Sequence, residues 1–269
     1  MEQVDVLARL IVFMSDFGLR DPYVAQVKAV VRMICPGAEI VDLTHLIDSF
    51  CIECGSYVLD SSVDWFPSET VFLGVVDPGV GSERRPIIIR ALSRWFVGPD
   101  NGLFTPVFLR DRNARAWVIR PWALPVKEIS STFHGRDIFG PAAALLSCGE
   151  EPGRIADEVS VDSLTRTELW WEERRGSSLC MRVIYIDKYG NIVLSRKKPL
   201  EMQLGGIINV ESPGGLYRAV HVKSFSHVGE GELAIYTNSF GYIEIAVNKG
   251  DASKYLGVGV GDEVCLTPQ

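Results

Sequence analysis

Residues 71–85 read VFLGVVDPGVGSERR. The apolar run Val71–Val76 ends in Asp77. Pro78, Gly79 and Gly81 follow, and the stretch closes on Arg84 and Arg85. A short unbroken apolar run bounded by turn residues reads as a strand buried on both faces, the kind found in parallel sheets covered by helices. Ligands collect at the carboxyl ends of such strands. Here that end carries an acid into a loop that glycine allows to turn sharply. Arg84 and Arg85 are neighbours, so on an extended chain they point to opposite faces and only one turns back easily toward Asp77. The plain alternative is a surface loop whose arginines are solvated.

The flanking sequence supports the same class. Leu10–Met14 is a β-branched-rich run ended by Ser15-Asp16-Phe17-Gly18. Asp21-Pro22 predicts an N-cap followed by proline at the first helical position, and Val24, Val27, Val30 and Val31 follow at helical spacing. Pro36-Gly37 breaks that helix, Glu39–Leu43 is the next strand, and 52–64 a second helix. Further strands are expected at Pro86–Ala91, Trp95–Val97 and Ala116–Ile119, with a short helix after Gly102 and a small-residue helix over Ile138–Ser147. Alternating strands and helices predict an α/β domain over 1–155, a largely parallel sheet sandwiched by helices. Residues 156–178, polar and holding Trp170-Trp171, read as a linker. Beyond it the period is near two: Arg182–Ile186, Ile192–Leu194, Ile207–Val210, Leu216–Val222, Leu233–Tyr236, Tyr242–Val247 and Glu263–Leu266. That predicts a small antiparallel β domain, barrel or sandwich, over 179–269.

Bulk properties exclude several classes. The chain has 269 residues, 47% apolar and 23% charged, an ordinary globular composition. A net charge of −7 argues against nucleic acid and against an anionic membrane surface as partners. No apolar run is long enough to span a bilayer. The opening MEQVDVLARLIVFMSD is too short in its apolar part, and too interrupted by charge, to be a signal peptide. The six cysteines, scattered through a chain of this size, read as reduced thiols of a cytoplasmic protein. Cys51-x-x-Cys54 is the one close pair; a redox or zinc role is open to it, but two buried thiols at a helix start are the expectation.

Polar clusters fall at three expected strand ends. Asp16 can accept two hydrogen bonds from vicinal hydroxyls such as those of a ribose, though alone it reads as a turn aspartate. Asp77 and Arg84 are the second cluster; Pro99-Asp100-Asn101-Gly102 is a similar turn that caps a helix. The third is Thr132-Phe133-His134-Gly135-Arg136-Asp137, where His134 precedes a helix that Asp137 is placed to cap. Only four histidines exist, and this one sits among Gly, Arg and Asp, able to serve as base, orienter or ligand. His45, His221 and His227 lack metal-ligand spacing, so no metal is expected. No dinucleotide, phosphate-loop or serine-elbow motif is present. In the second half, Asp187-Lys188-Tyr189-Gly190-Asn191 reads as a hairpin turn. Asn238-Ser239-Phe240-Gly241 leads into a strand that puts Tyr242, Glu244 and Ala246 on one face and Ile243, Ile245 and Val247 on the other. Glu244 then either faces water or meets a ligand.

Six stretches, in order, carry a resemblance that covers nearly the whole chain: SDFGLRDPYVAQVKAVV (15–31), VVDPGVGSERR (75–85), GPDNGL (98–103), TFHGRDIFGPAAA (132–144), IDKYGN (186–191) and NSFGYIEIAVNKGDA (238–252). The chain resembles the S-adenosylmethionine hydroxide adenosyltransferase family, long an uncharacterised domain group and related to the fluorinase and chlorinase. The resemblance implies attack of water, as incipient hydroxide, on the 5′ carbon of S-adenosylmethionine (SAM), releasing adenosine and methionine. SAM would be the substrate, and no cofactor is implied. The water-positioning trio would be Asp77, Arg84 and His134. Asp16 would bind the ribose hydroxyls, and Phe50 and Phe133 would pack on the adenosine portion. Tyr189 and Asn191 would meet the adenine, Asp187 the methionine amine, and Ser239 and Phe240 the carboxylate region, with Glu244 a further contact. The family is trimeric, with each pocket between the first domain of one subunit and the β domain of the next. Where the fluorinase has Tyr-Pro-Ala-Thr-Gly and Phe-Tyr-Ser, this chain has Asp77-Pro78-Gly79-Val80-Gly81 and Phe133-His134-Gly135. It also lacks the insertion that follows the fluorinase's arginine stretch, and has Phe240-Gly241 in place of Arg-Gly. A carboxylate at Asp77 is hostile to a halide. Hydrolysis is therefore expected ahead of chloride transfer to the 5′ carbon, and ahead of non-catalytic binding of SAM or adenosine.

Overall fold

The computed structural model describes residues 8–269, so the expectation about the opening stretch lies partly outside the described residues. The chain forms two compact units, one ending at Thr167, the other running from Glu168 to Gln269.

The first unit holds a seven-stranded sheet. Its strands are β1 (Ile11–Ser15), β2 (Ile40–Thr44), β3 (Val71–Val75), β4 (Pro86–Ala91), β5 (Arg94–Pro99), β6 (Arg115–Ile119) and β7 (Ala156–Val159), in the order β2-β1-β3-β5-β4-β6-β7. The strands β2, β1, β3 and β5 pair in parallel. β4 and β7 run against their neighbours, which leaves five of the seven strands in one direction. The antiparallel β4–β5 hairpin turns on Leu92 and Ser93, both at positive φ (50° and 58°). That is the backbone of a primed two-residue turn, built without the Asn-Gly signal that usually betrays it.

Both sheet faces are covered. Ile11, Phe13, Val71, Leu73 and Val75 join Val24, Val27 and Val31 of α1 (Tyr23–Ile34) and the small residues of α4 (Gly140–Ser147) in one core. From the other face Phe72 stacks on Phe96, with ring centroids 5.3 Å apart, and Phe96 meets Phe104 at the start of α3 (Thr105–Leu109), which packs on α2 (Ile52–Ser62). The chain winds from β1 through α1 to β2 on one side, then through α2 to β3 on the other. The winding therefore reverses between β1 and β3, where open α/β sheets leave a crevice.

Three local expectations are corrected. Pro22, not Asp21, is the cap residue of α1, its carbonyl accepting from Gln26 N–H. The helix after His134 starts at once, as a π-helical turn over Gly135–Phe139 that runs into α4. Asp137 does not cap it: its buried carboxylate accepts from Ser130 N–H and is paired with Arg136. Residues 156–178 are not a bare linker. They hold β7 and β8 (Glu172–Arg175), whose polar sequences suit strands at the edges of sheets.

The second unit contains, besides β8, β9 (Ser178–Ile186), β10 (Ile192–Leu194), β11 (Ile207–Ser212), β12 (Gly215–His221), β13 (Leu233–Thr237), β14 (Ile243–Val247) and β15 (Glu263–Pro268). The order β10-β14-β13-β12-β11-β15-β9 closes through a β9–β10 pairing into a seven-stranded barrel, with β8 appended to β9. Closure leaves no free barrel edge. Its pairings are antiparallel except β12–β13, which is parallel. Along β14, Ile243, Ile245 and Val247 enter the barrel core and Ala246 joins a separate cluster with Tyr236, as the alternation requires.

The reading of reduced thiols is also corrected: all six cysteines are paired, Cys35 with Cys148, Cys51 with Cys54, and Cys180 with Cys265. Cys35 and Cys148 follow the ends of the packed helices α1 and α4. Cys180 and Cys265 face each other across β9 and β15. Separations of 113 and 85 residues hide both pairs from any reading of spacing.

Candidate active site

Strand register builds the first site. Ser15 at the end of β1 lies beside Val75 at the end of β3, so Asp16 and Asp77 both emerge into the crevice between those strands. The Asp16 N–H reaches back to the Val75 carbonyl at 3.4 Å. A cleft of about 610 Å³ opens there, lined by Asp16, Phe50, Asp77, Phe133 and His134 among others, a size that suits a nucleoside-sized ligand.

Arg84 packs behind Asp77. Its Nε–H donates to Asp77 Oδ1 at 2.9 Å, and Nη2 closes a second, shorter contact to Oδ2. The two side chains are 9% and 5% exposed, so this is a buried ion pair. The same Nη2 lies 2.9 Å from His134 Nδ1. Arginine only donates, so Nδ1 must be the bare nitrogen of a neutral ring with its proton on Nε2. Burial, aided by the Arg84 charge, pushes the His134 pKa below its usual 6.5 against the pull of Asp77 and Asp137. The guanidinium carbon rests 4.8 Å from the centre of the Phe139 ring, and Nη1 is buried without a hydrogen-bond partner. Gly81 makes the loop's course possible. Its φ is +78°, and a Cβ there would sit 2.4 Å from the Ser131 carbonyl oxygen. Arg85 faces away and binds Asp100, as the alternation of neighbours requires.

Asp16 forms the opposite wall. Its Oδ2 accepts from Phe50 N–H at 2.9 Å. Burial raises its pKa above the ordinary value, and the Asp77 charge adds to that. Phe50 takes φ = +68°, uncommon for a side chain of its size, and the residue is 69% exposed at the cleft. Phe17, Tyr23 and Phe133 form a ring cluster, centroids 5.2–5.9 Å apart, in which Phe133 meets both others edge to face. Gly135 admits it, since a Cβ there would lie 3.0 Å from Phe17.

Tyr23, Gln26 and Arg136 also line this cleft; of these only Arg136 is named from the sequence, as a neighbour of His134 with no role of its own. Arg136 Nη1 lies 3.2 Å from Gln26 Oε1 and its guanidinium 5.0 Å from the Phe133 ring centre. The signal for two of them was present: Tyr23 and Gln26 stand three residues apart in the first turn of a helix that follows a site strand.

The second unit has its own cleft, of about 600 Å³, lined by Asp187, Tyr189, Asn191 and Glu244 together with Phe225 and Lys249. Asp187 Oδ1 accepts from the N–H groups of Tyr189 and Asn191 at 2.8 and 2.9 Å, and Oδ2 from the Asn191 side-chain amide at 2.9 Å. The carboxylate thus shapes the loop. Glu244 is tied to Tyr236 Oη and to Asn238 Nδ2 and so does not project freely into water. Ser239 and Phe240 lie on the next turn and do not line the cleft. Among the described residues one cluster has metal-ligand composition, Cys180, Glu263 and Cys265, but its two sulfurs are bonded to each other.

Comparison with known proteins agrees across the chain. Residues 11–156 match the model of the SAM hydroxide adenosyltransferase N-terminal domain, and 181–265 that of the C-terminal domain. An (R)-S-adenosyl-L-methionine hydrolase of Thermus thermophilus is 41% identical, covering 96% of this chain and 99% of its own. One from Salinispora tropica is 35% identical over 95% and 96%. The crystal structure of an uncharacterized conserved protein from Thermotoga maritima superposes with a TM-score of 0.87 at 35% identity, covering 96% of this chain and 99% of that one. A fluorinase of Actinoplanes sp. stands further off, at 25% identity over 96% and 97%.

Proposed function

The chain belongs to the SAM hydroxide adenosyltransferase family, and from that premise we propose how it acts: it is an enzyme that hydrolyses S-adenosyl-L-methionine to adenosine and L-methionine. Water attacks the ribose C5′ and the C5′–S bond breaks. Its electron pair returns to sulfur, turning the sulfonium into a neutral thioether, and the water's proton passes to the enzyme. A leaving group that departs neutral needs no general acid, so the residues must instead hold one water in line and take its proton.

The observation that carries this reading is the hydrogen-bonded cluster of Asp77, Arg84 and His134 at one end of the cleft, facing the Asp16 wall. With Nδ1 engaged by Arg84, neutral His134 has an Nε2–H to offer; it orients the water's oxygen. Asp77 retains lone pairs beyond those used by Arg84 and accepts the proton. Arg84 favours the developing hydroxide electrostatically. Asp16 binds the ribose hydroxyls, which replace the water that its burial removes. Phe50 and Phe133 pack on the nucleoside.

The barrel supplies recognition: Tyr189 and Asn191 for adenine, Asp187 for the methionine amine, Ser239 and Phe240 for the carboxylate, Glu244 as support. We further propose a homotrimer in which the first unit of one subunit and the barrel of the next complete each site. No cofactor is required. No helix among the described residues is long and apolar enough to cross a membrane. A cytoplasmic location is part of the proposal. The three disulfides oppose it, since such bonds persist in the cytosol chiefly in hyperthermophiles.

Chromatography after incubation with SAM, with and without chloride, tests the reaction. Adenosine and methionine in equal amounts are expected under both conditions. A halogenated adenosine as main product would replace water by halide, and nucleoside binding without methionine release would reduce the protein to a binder.

A further inference from the structure

Behind Asp16 runs a chain of polar groups that the proposed reaction does not use. Ser15 and His45 are 0% and 3% exposed, among the most buried polar side chains of the first unit. Ser15 Oγ lies 2.7 Å from His45 Nδ1, and His45 Nε2 lies 3.0 Å from Asp42 Oδ1. Lys28 Nζ donates to the other Asp42 oxygen at 2.6 Å. Burial pushes the Asp42 carboxyl upward, but hydrogen bonds from Lys28 and His45 outweigh it and hold the group below its ordinary pKa.

The polarity of each link follows. An ionised Asp42 only accepts, so His45 donates to it from Nε2, which in the neutral ring leaves Nδ1 bare. Ser15 must then donate its hydroxyl hydrogen to Nδ1, which turns its lone pairs to the Phe17 N–H, 3.3 Å away. The residue types and contacts are those of a nucleophilic Ser-His-Asp set. Yet Ser15 has no exposed surface from which to reach a substrate, so the set cannot attack one. It does hold a turn. Its ring grips the Ser15 end of the turn, and the His45 carbonyl accepts from Gly18 N–H at 2.7 Å. Between those two points lies Asp16. Five residues beyond His45 lies Phe50, whose N–H binds the Asp16 carboxylate. An edge contact from Phe13, centroids 4.5 Å apart, keeps the imidazole from turning.

We propose that His45 is a positioning residue, oriented by Asp42, that acts through Ser15 to aim the Asp16 carboxylate at the ribose hydroxyls. The inference rests on the reading of Asp16 as the ribose-binding group. A carboxylate has to be held in place for two hydroxyls to bind it together, and a turn of four residues at a strand end has few other means of being fixed.

Calorimetric titration with adenosine and with 2′,3′-dideoxyadenosine tests both levels. The parent protein binds adenosine more tightly, and Asp16→Ala removes the difference. His45→Ala and Ser15→Ala each weaken adenosine about tenfold, on the scale of a hydrogen bond to a charged group, and leave the dideoxy compound unchanged. His45→Asn, whose Oδ1 can stand in for Nδ1, recovers most of the loss. Ser15→Ala removes one oxygen and so reports even if the larger truncation disturbs folding. If His45→Ala and Ser15→Ala keep the parent's discrimination, or weaken both nucleosides equally, the positioning role is wrong while the Asp16 reading stands. If the parent shows no discrimination, or Asp16→Ala retains it, the ribose reading fails and this inference falls with it.

Discussion

The two clefts are nearly equal in volume, about 610 and 600 Å³, and each is lined by acids and aromatic rings. They differ in what the fold does to their charged groups. In the first unit, folding works against several of them. Burial holds Asp16 above its ordinary pKa and His134 below it, and the ion pair of Asp77 and Arg84 is almost wholly removed from water. In the barrel, Asp187 spends both oxygens on its own loop and Glu244 is tied to Tyr236 and Asn238. Groups kept in unfavourable states, in a cleft, mark where chemistry is done. Groups satisfied by their own loop give a fixed shape to bind against. On the proposed reading, one cleft serves reaction and the other recognition.

The largest effect should come from breaking the buried pair. Arg84→Met keeps much of the side-chain volume but leaves the Asp77 carboxylate buried without its cation. Unfolding free energy should fall by about 3–5 kcal/mol, and turnover by about 10³-fold, the scale of a lost transition-state charge contact. Adding Asp77→Asn removes the stranded charge, so the double variant should regain stability and not activity. Chemical denaturation beside an adenosine-release assay reads both quantities. A single variant as stable as the parent would show that the first cleft carries no such strain.

An equivalent change in the barrel should do less. Tyr189→Ala removes a large exposed ring from the second cleft and should raise KM about tenfold with kcat nearly intact, as loss of uniform binding does. The same variant tests the trimer. Mixed with Asp77→Ala, reassembled and assayed well below the parent's KM, it should return about a quarter of the sites to the parent's affinity, those that draw an intact first unit from one chain and an intact barrel from the next. No recovery on mixing would mean that each chain completes its own site.

Much of this division can be read in the sequence, for identifiable reasons. The apolar run before Asp77 and the period-two strands of the barrel fix two units because burial pattern and period are local properties. Asp77, Arg84 and His134 fall in loops that glycine and proline mark at strand ends, and the family resemblance picks them out as one set. What escapes is either non-local or lacks its usual local signal. The cysteine pairs depend on which helices and strands meet. The β4–β5 hairpin uses Leu92 and Ser93 where a turn would advertise itself with Asn-Gly. The edge strands β7 and β8 are too polar to show a buried face. His45 has Asp42 three residues before it, but Ser15, thirty residues away, is brought to it only by the pairing of β1 with β2.

The smallest expected effect is also the finest test of the reactive cleft, and its sign is fixed. Arg84 can donate to His134 only while Nδ1 is bare, so protonation at that nitrogen breaks the cluster. Activity should hold steady above the His134 pKa and fall toward tenfold per pH unit below it, with a midpoint under the usual 6.5. Stability moves the same way. An unfolded chain takes up this proton at about 6.5 and the folded one only at lower pH, so between those values acid favours the unfolded state. Asp16 works in the opposite sense: its raised pKa means that the folded protein holds its proton more tightly, so the associated stability is lost as pH climbs through that value, starting from above 3.8. His134→Gln should therefore flatten the loss of stability between pH 6.5 and the folded value while leaving the Asp16 contribution in place. A parent activity profile with its acid midpoint at or above 6.5 would mean that the imidazole is not held neutral by burial and by Arg84, and would remove His134 from the electrostatic difference between the two clefts.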